Sequence, residues 1–168
     1  MRTRIWTNLV NLRFKVYYID GLVDRFQKRD RNLNIFLALV SFGSISAWAV
    51  WDAVPWLWGL ILAISHVVNA IKPYLPFHKY VKELNSKFFL TQEIQHEFER
   101  LWYESENGLI KDTQVADKFF ALQKKAMNAL RFSDDIVLSE NKEIKEKADL
   151  LTKTYIESNF NVTVNIER

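Results

Sequence analysis

Between Leu33 and Ile71 the chain carries one formal charge, Asp52, although charged residues are frequent on both sides. The first uncharged run, Leu33 to Trp51, reads LNIFLALVSFGSISAWAVW. As a helix it is roughly 28 Å long at about 1.5 Å per residue, close to the thickness of a bilayer's hydrocarbon core. The second run, Trp56 to Ile71, reads WLWGLILAISHVVNAI and measures roughly 24 Å by the same rise. Only Asp52-Ala53-Val54-Pro55 separates the two, and Pro55 suits the first position of a helix, where its missing N–H costs nothing. A buried helix of a soluble protein shows a polar face, and neither run has one. These features predict an all-α membrane protein built on a two-helix transmembrane hairpin, with spans at about 33–51 and 56–71. A signal peptide does not fit, because the first run begins too far into the chain and lacks a cleavage site.

Four of the six tryptophans, Trp48, Trp51, Trp56 and Trp58, bracket the turn. Amphipathic rings settle at headgroup depth, so these four mark an interface belt. Lys15, Arg25, Lys28, Arg29 and Arg31 precede the first span, Lys72, Lys79, Lys82 and Lys87 follow the second, and the turn has no basic residue. The positive-inside rule places both termini of this multi-pass chain in the cytoplasm. Almost nothing is left outside to bind an external ligand.

The mean hydropathy of −0.14 conceals this hairpin because the flanks are polar. Residues 1–31 hold eight Lys/Arg against three acids, and residues 88–168 hold eleven against fifteen. The basic end adjoins the apolar runs, which fits a segment beside anionic lipid and argues against a nucleic-acid partner. Three parts are therefore expected: a basic amphipathic helix over 1–31, the hairpin over 32–72 and a cytoplasmic helical bundle over 73–168. In the first, Ile5, Leu9, Leu12, Val16, Ile19, Val23 and Phe26 recur in steps of four and three. Beyond Pro73 and Pro76 a long helix is expected from Phe77 to Glu104, with Tyr80, Val81, Leu84, Phe88, Ile94, Phe98, Leu101 and Trp102 on its apolar side. Gly108 closes it. A helix over Thr113–Leu130 follows, with Thr113 as N-cap and Val115, Phe119, Leu122, Ala126 and Leu130 inward. A last helix after Ser139 turns Ile144, Ala148, Leu151 and Tyr155 to the core. The tail NVTVNIER alternates like a strand but has no second strand to pair with, so it reads as an extended tail or a contact with another chain.

Catalysis leaves little trace. There is no cysteine, which removes thiol chemistry and cysteine-based metal sites. His96-Glu97 opens like a zinc-protease motif, but no histidine follows at the required spacing. Four glycines do not build a phosphate loop. A non-enzyme with no catalytic, metal or cofactor site is expected.

Small and polar residues in the spans carry what signal there is. The first span has Gly43-x-x-x-Ala47 with Ser41 and Ser44; the second has Gly59-x-x-x-Ala63, and the same face continues to His66 and Ala70, with Asn69 at its edge. Small residues let helix backbones approach in lipid, and polar groups avoid the lipid face. Ser41, Gly43, Ser44, Ala47, Gly59, Ala63, His66 and Asn69 are the candidate helix-packing or pore-lining residues. Either His66 and Asn69 bond to the partner helix or lie in the cytoplasmic interface, or Ser41, Ser44, His66 and Asn69 line an aqueous path in an oligomer. Two helices cannot enclose a pore, so a channel requires several copies around an axis.

The order of these features resembles the SLATT superfamily of small bacterial membrane proteins. The likeness covers the basic helix ending in YYIDGLVDRFQKRDRN (Tyr17 to Asn32), the hairpin from Leu33 to Ile71 and the long helix from Phe77, about residues 5–105. The resemblance implies an effector of bacterial anti-phage, abortive-infection systems. Such an effector assembles in the inner membrane and breaches it when a separate cytoplasmic sensor protein or second messenger reports infection. The alternatives are a non-pore membrane anchor or scaffold that recruits a cytoplasmic partner, and an accessory modulator of a nuclease complex.

Overall fold

The computed structural model describes residues 1–46, 55–74, 77–133 and 139–160. Every regular element among them is helical: α1 (Arg2–Ser46), α2 (Pro55–Ile71), a 3₁₀ turn (Lys72–Tyr74), α3 (Phe77–Glu106), α4 (Asp112–Ala129) and α5 (Lys142–Phe160). The all-α expectation holds for these residues. Among them no helix is long and apolar enough to cross a membrane. α2 stops at 17 residues. The apolar run that begins at Leu33 continues past Ser46 into residues 47–54, which lie outside the described residues together with 75–76, 134–138 and 161–168.

The chain divides into two compact units, residues 1–23 with 82–168 and residues 24–81. Composition suggested divisions at 31/32 and 72/73; α1 runs unbroken through the first, and the second falls within the 3₁₀ turn.

The first unit is a four-helix assembly of the start of α1, most of α3, α4 and α5. Its core holds Ile5, Leu9 and Leu12 of α1, Ile94, Phe98 and Leu101 of α3, Val115, Phe119 and Ala129 of α4, and Ile156 of α5. The four-and-three spacing of α1 is what lets Ile5, Leu9, Leu12, Val16, Ile19 and Val23 all reach the interior. Phe98 and Phe119 meet edge to face at 6.1 Å, and Trp6 is tilted against Trp102 at 5.0 Å, both favourable aromatic geometries. Gly108 ends α3 with φ +63°, a conformation open to glycine, while the Leu109 N–H donates to the Glu104 carbonyl at 2.9 Å.

Two expectations require correction. α4 starts at Asp112, so Thr113 is inside the helix and is not its N-cap. The start is instead held by the Gln114 side chain, which accepts from the Lys111 N–H at 3.2 Å. In α5 the inward residues are Ala148, Thr152 and Ile156, whereas Leu151 is 38% exposed. The helix register is fixed by Asn141, whose side chain accepts from the Ile144 N–H at 2.9 Å, and by the Tyr18 hydroxyl, which accepts from the Asn141 N–H at 3.3 Å. Phe26, the last residue of the α1 stripe, belongs to the other unit. The tail NVTVNIER lies outside the described residues.

The second unit holds the later part of α1, all of α2, the 3₁₀ turn and the start of α3. α2 begins at Pro55, as the free first-turn position of proline predicts. Phe26 meets the edge of Tyr80 at 5.3 Å and lies 6.2 Å from Phe77.

Candidate functional site

α2 carries the largest share of the residues that the sequence singles out. At roughly 100° per residue, Gly59, Ala63, His66 and Ala70 fall within about 60° of one another around the helix. All four are exposed in the single chain. No atom among the described residues lies within 4 Å of where a Gly59 Cβ would stand. Asn69, at the edge of this stripe, is exposed as well. Beside the stripe runs an apolar one: Trp56 (71% exposed), Leu60, Ile64, Val67 and Ile71. The opposite side of α2 is the covered one, with Ser65 buried and Ile61, Leu62 and Val68 half-buried.

The exposed side of α2 is therefore mostly apolar, where a helix folded in water shows a polar face. A serine is covered while large aliphatic and aromatic side chains face outward. α1 continues the pattern, with Ile35, Phe36 and Leu39 exposed and Leu37 buried. Ser41, Gly43 and Ser44 lie on the last turns of α1. Trp58 lies in the first turn of α2. Ala47, Trp48 and Trp51 fall outside the described residues.

Sequence reasoning missed a second polar constellation, inside the first unit. Arg13 of α1 donates from Nη1 to the Gln95 side-chain oxygen of α3 at 3.0 Å. Its guanidinium also stacks 3.4 Å over the ring of Tyr155 on α5, with Tyr17 at 5.1 Å. The Tyr155 hydroxyl donates to Glu99 Oε1, and Glu99 Oε2 lies 3.2 Å from His96 Nδ1. Gln95 is fully buried. Arg13 Nε and Gln95 Nε2 are buried without a hydrogen-bond partner among the described residues. One signal was available: Thr91, Gln95 and Ser105 occupy the inward spacing of α3 beside Ile94, Phe98 and Leu101. A polar residue at a core position implies a partner on a neighbouring helix. This network ties α1, α3 and α5 together.

Two open grooves mark the same unit. One, of about 430 Å³, lies between α3 and α4 and is lined by Glu97, Arg100, Leu101, Glu104, Lys118 and Leu122. Its charges already satisfy one another: Lys118 donates to Glu104 at 2.7 Å and Arg100 to Glu104 at 2.9 Å. One turn along, Lys125 bridges Glu93 at 2.8 Å and Glu97 at 2.6 Å. The other groove, of about 600 Å³, lies between α1 and α4, with Phe14 and Met127 among its lining. Among the described residues no group of three His, Asp or Glu side chains is placed to hold a metal ion. No family model matches the chain, and comparisons with curated proteins and with solved structures likewise return no match.

Proposed function

We propose that residues 33–71 insert as a hairpin into the bacterial inner membrane with both termini cytoplasmic. In this reading several copies assemble, and the assembly breaches the bilayer as a non-enzymatic effector of an anti-phage system triggered by a separate sensor. The observation that carries the membrane part is the exposed apolar surface between Ile35 and Ile71. Ile35, Phe36, Leu39, Trp56, Leu60, Ile64, Val67 and Ile71 are all at least 37% exposed. Fully burying one such side chain is worth about 1.5–3 kcal/mol, so leaving this set half-covered forfeits on the order of 10 kcal/mol. That rivals the whole stability of a small domain. A cover of lipid recovers it. The adjoining stripe of Gly59, Ala63, His66 and Ala70 supports assembly, because its polar member is poorly suited to lipid and needs a protein or water neighbour. The effector role follows the resemblance to the SLATT superfamily.

The test is release of a trapped ion indicator from liposomes by the purified full chain, with assembly followed in parallel. Intact vesicles in every oligomeric state would sink the pore reading. A second reading, a membrane anchor that recruits a cytoplasmic partner, is favoured by exposed apolar side chains on the four-helix unit. Phe89, Tyr103, Leu109, Met127 and Leu150 are each more than 60% exposed. Recovery of a stoichiometric soluble partner, with membrane potential preserved on overexpression, would select it.

A further inference from the structure

Where the apolar surface of the 24–81 unit gives way to charge, the fold gathers basic and aromatic residues from two distant stretches. α1 supplies Arg25, Lys28, Arg29 and Arg31; the 3₁₀ turn supplies Lys72 and Tyr74; α3 supplies Phe77 and Tyr80. The contact of Phe26 with Tyr80 and Phe77 holds the first stretch against the start of α3, immediately after the second. Arg29, Arg31 and Lys72 are exposed, Arg25 is half-exposed, and Tyr74 is 83% exposed. Two acids moderate the charge. Asp24 pairs with Lys28 at 2.6 Å, and Asp30 accepts from Asn34 at 3.1 Å. The other cations of these stretches are Arg25, Arg29, Arg31, Lys72 and Lys79.

Exposed apolar side chains begin close by on both stretches. Ile35 lies roughly 14 Å along α1 from Phe26, and Ile71 directly precedes Lys72. A solvated charge run needs neither the aromatic tie nor the adjoining apolar surface. Cations and aromatic rings at the border of an apolar surface are what a lipid headgroup layer selects.

We infer that Arg25, Arg29, Arg31 and Lys72, gathered by the contact of Phe26 with Phe77 and Tyr80, form a collar that binds acidic phospholipid headgroups. The inference rests on the membrane reading above and adds the lipid class to it. The collar draws the protein to anionic bilayers and fixes how deep the apolar residues seat.

The experiment is flotation of the purified full chain with vesicles of phosphatidylcholine alone and of phosphatidylcholine containing phosphatidylglycerol. Partition into the anionic vesicles is expected to be at least about tenfold stronger at low ionic strength, with the excess shrinking as salt is raised. The quadruple variant Arg25→Gln/Arg29→Gln/Arg31→Gln/Lys72→Gln is expected to lose that excess while keeping its partition into neutral vesicles and its helical circular dichroism. Equal partition of the native chain into both vesicle types, with indicator still released, overturns the collar and leaves the membrane reading standing. Retention of the preference by a helical quadruple variant also overturns it. If inorganic phosphate at constant ionic strength abolishes the preference, the cluster reads free phosphate and the lipid assignment falls. Failure to float with any vesicle removes the membrane reading and the collar together.

Discussion

Gly21 on α1 and Ile144 on α5 approach so closely that a Cβ added to Gly21 would stand 2.6 Å from Ile144 Cγ2. Gly21→Ala gains up to about 1 kcal/mol of helix propensity, but it forces the stiff, β-branched isoleucine aside, at about 1–3 kcal/mol for overpacking. A net loss of about 1–2 kcal/mol is expected, read as a lower urea midpoint. Ile144→Ala in the Gly21→Ala background is expected to recover much of it. Additive losses in that double-mutant cycle would show that the contact is not the cause.

Arg13 and Gln95 make a second pair whose members are best changed together. Arg13→Ala removes the guanidinium from the Tyr155 ring and leaves the buried Gln95 oxygen without its donor. A loss of about 1–3 kcal/mol is expected. Arg13→Met with Gln95→Leu restores an apolar fill and is expected to cost less than the single alanine change. Chemical denaturation of both variants decides the order.

The α3–α4 clasp sets a pH window. The hydrogen bond from Lys125 holds the Glu93 carboxyl below its ordinary range, and hydrogen bonds from Lys118 and then Arg100 do the same for Glu104. Glu93 and then Glu97 raise Lys125. Carboxylates lowered in the folded state add stability above their unfolded-state value, near 4.3, and lose it as the pH falls through the folded value. The raised lysine adds stability below about pH 10.4 and loses it as the pH rises through its folded value. A plateau between about pH 5 and 10 is expected, with thermal midpoints falling on either side. Lys125→Met should shrink both limbs. Because the Lys125 and Glu93 side chains are 41% and 58% exposed, molar salt should weaken their part of the profile. A pH profile unchanged by Lys125→Met would contradict the assignment.

On α2 the two kinds of candidate residue separate by experiment. Gly59 has open space around it in the single chain, so Gly59→Leu should leave the helicity of the chain intact and disrupt assembly. His66→Leu with Asn69→Leu should assemble normally yet release at least about tenfold less indicator from liposomes, if those side chains line a wet path. Cross-linking beside the release assay resolves the two. Unchanged release in the second variant would favour the anchor reading.

Much of the four-helix unit was legible because its apolar residues recur at helical spacing: Ile5 through Val23 on α1, and Leu84, Ile94, Phe98 and Leu101 on α3. Gly108 was legible as a stop because glycine tolerates positive φ. Thr91, Gln95 and Thr152 escaped notice because residue type alone marks them as surface. They are buried through partners on other turns or helices, such as the Lys87 and Ala148 carbonyls and Arg13. The rotation of α5 was missed for a related reason. Leu151 looks like core, but Tyr18, Gly21 and Asn141 set which side of the helix turns inward, and the contacts with Tyr18 and Gly21 are remote in sequence. At the candidate site the sequence gives the apolar and polar stripes of α2. It does not give their outward direction, since periodicity states what needs cover and not what supplies it.

The split of the four-helix unit into residues 1–23 and 82–168 has a consequence for synthesis. Ile5, Leu9 and Leu12 leave the ribosome first, but Phe98, Val115, Phe119 and Ile156, which cover them, are made only after the whole apolar segment has emerged. The amphipathic start of α1 must therefore wait, uncovered, while residues 33–71 find their surroundings. A nascent chain arrested before α4 would expose that stripe to surface-binding reagents, and one released at full length would hide it. Closure of the unit thus reports that the segment between its two halves has already been made.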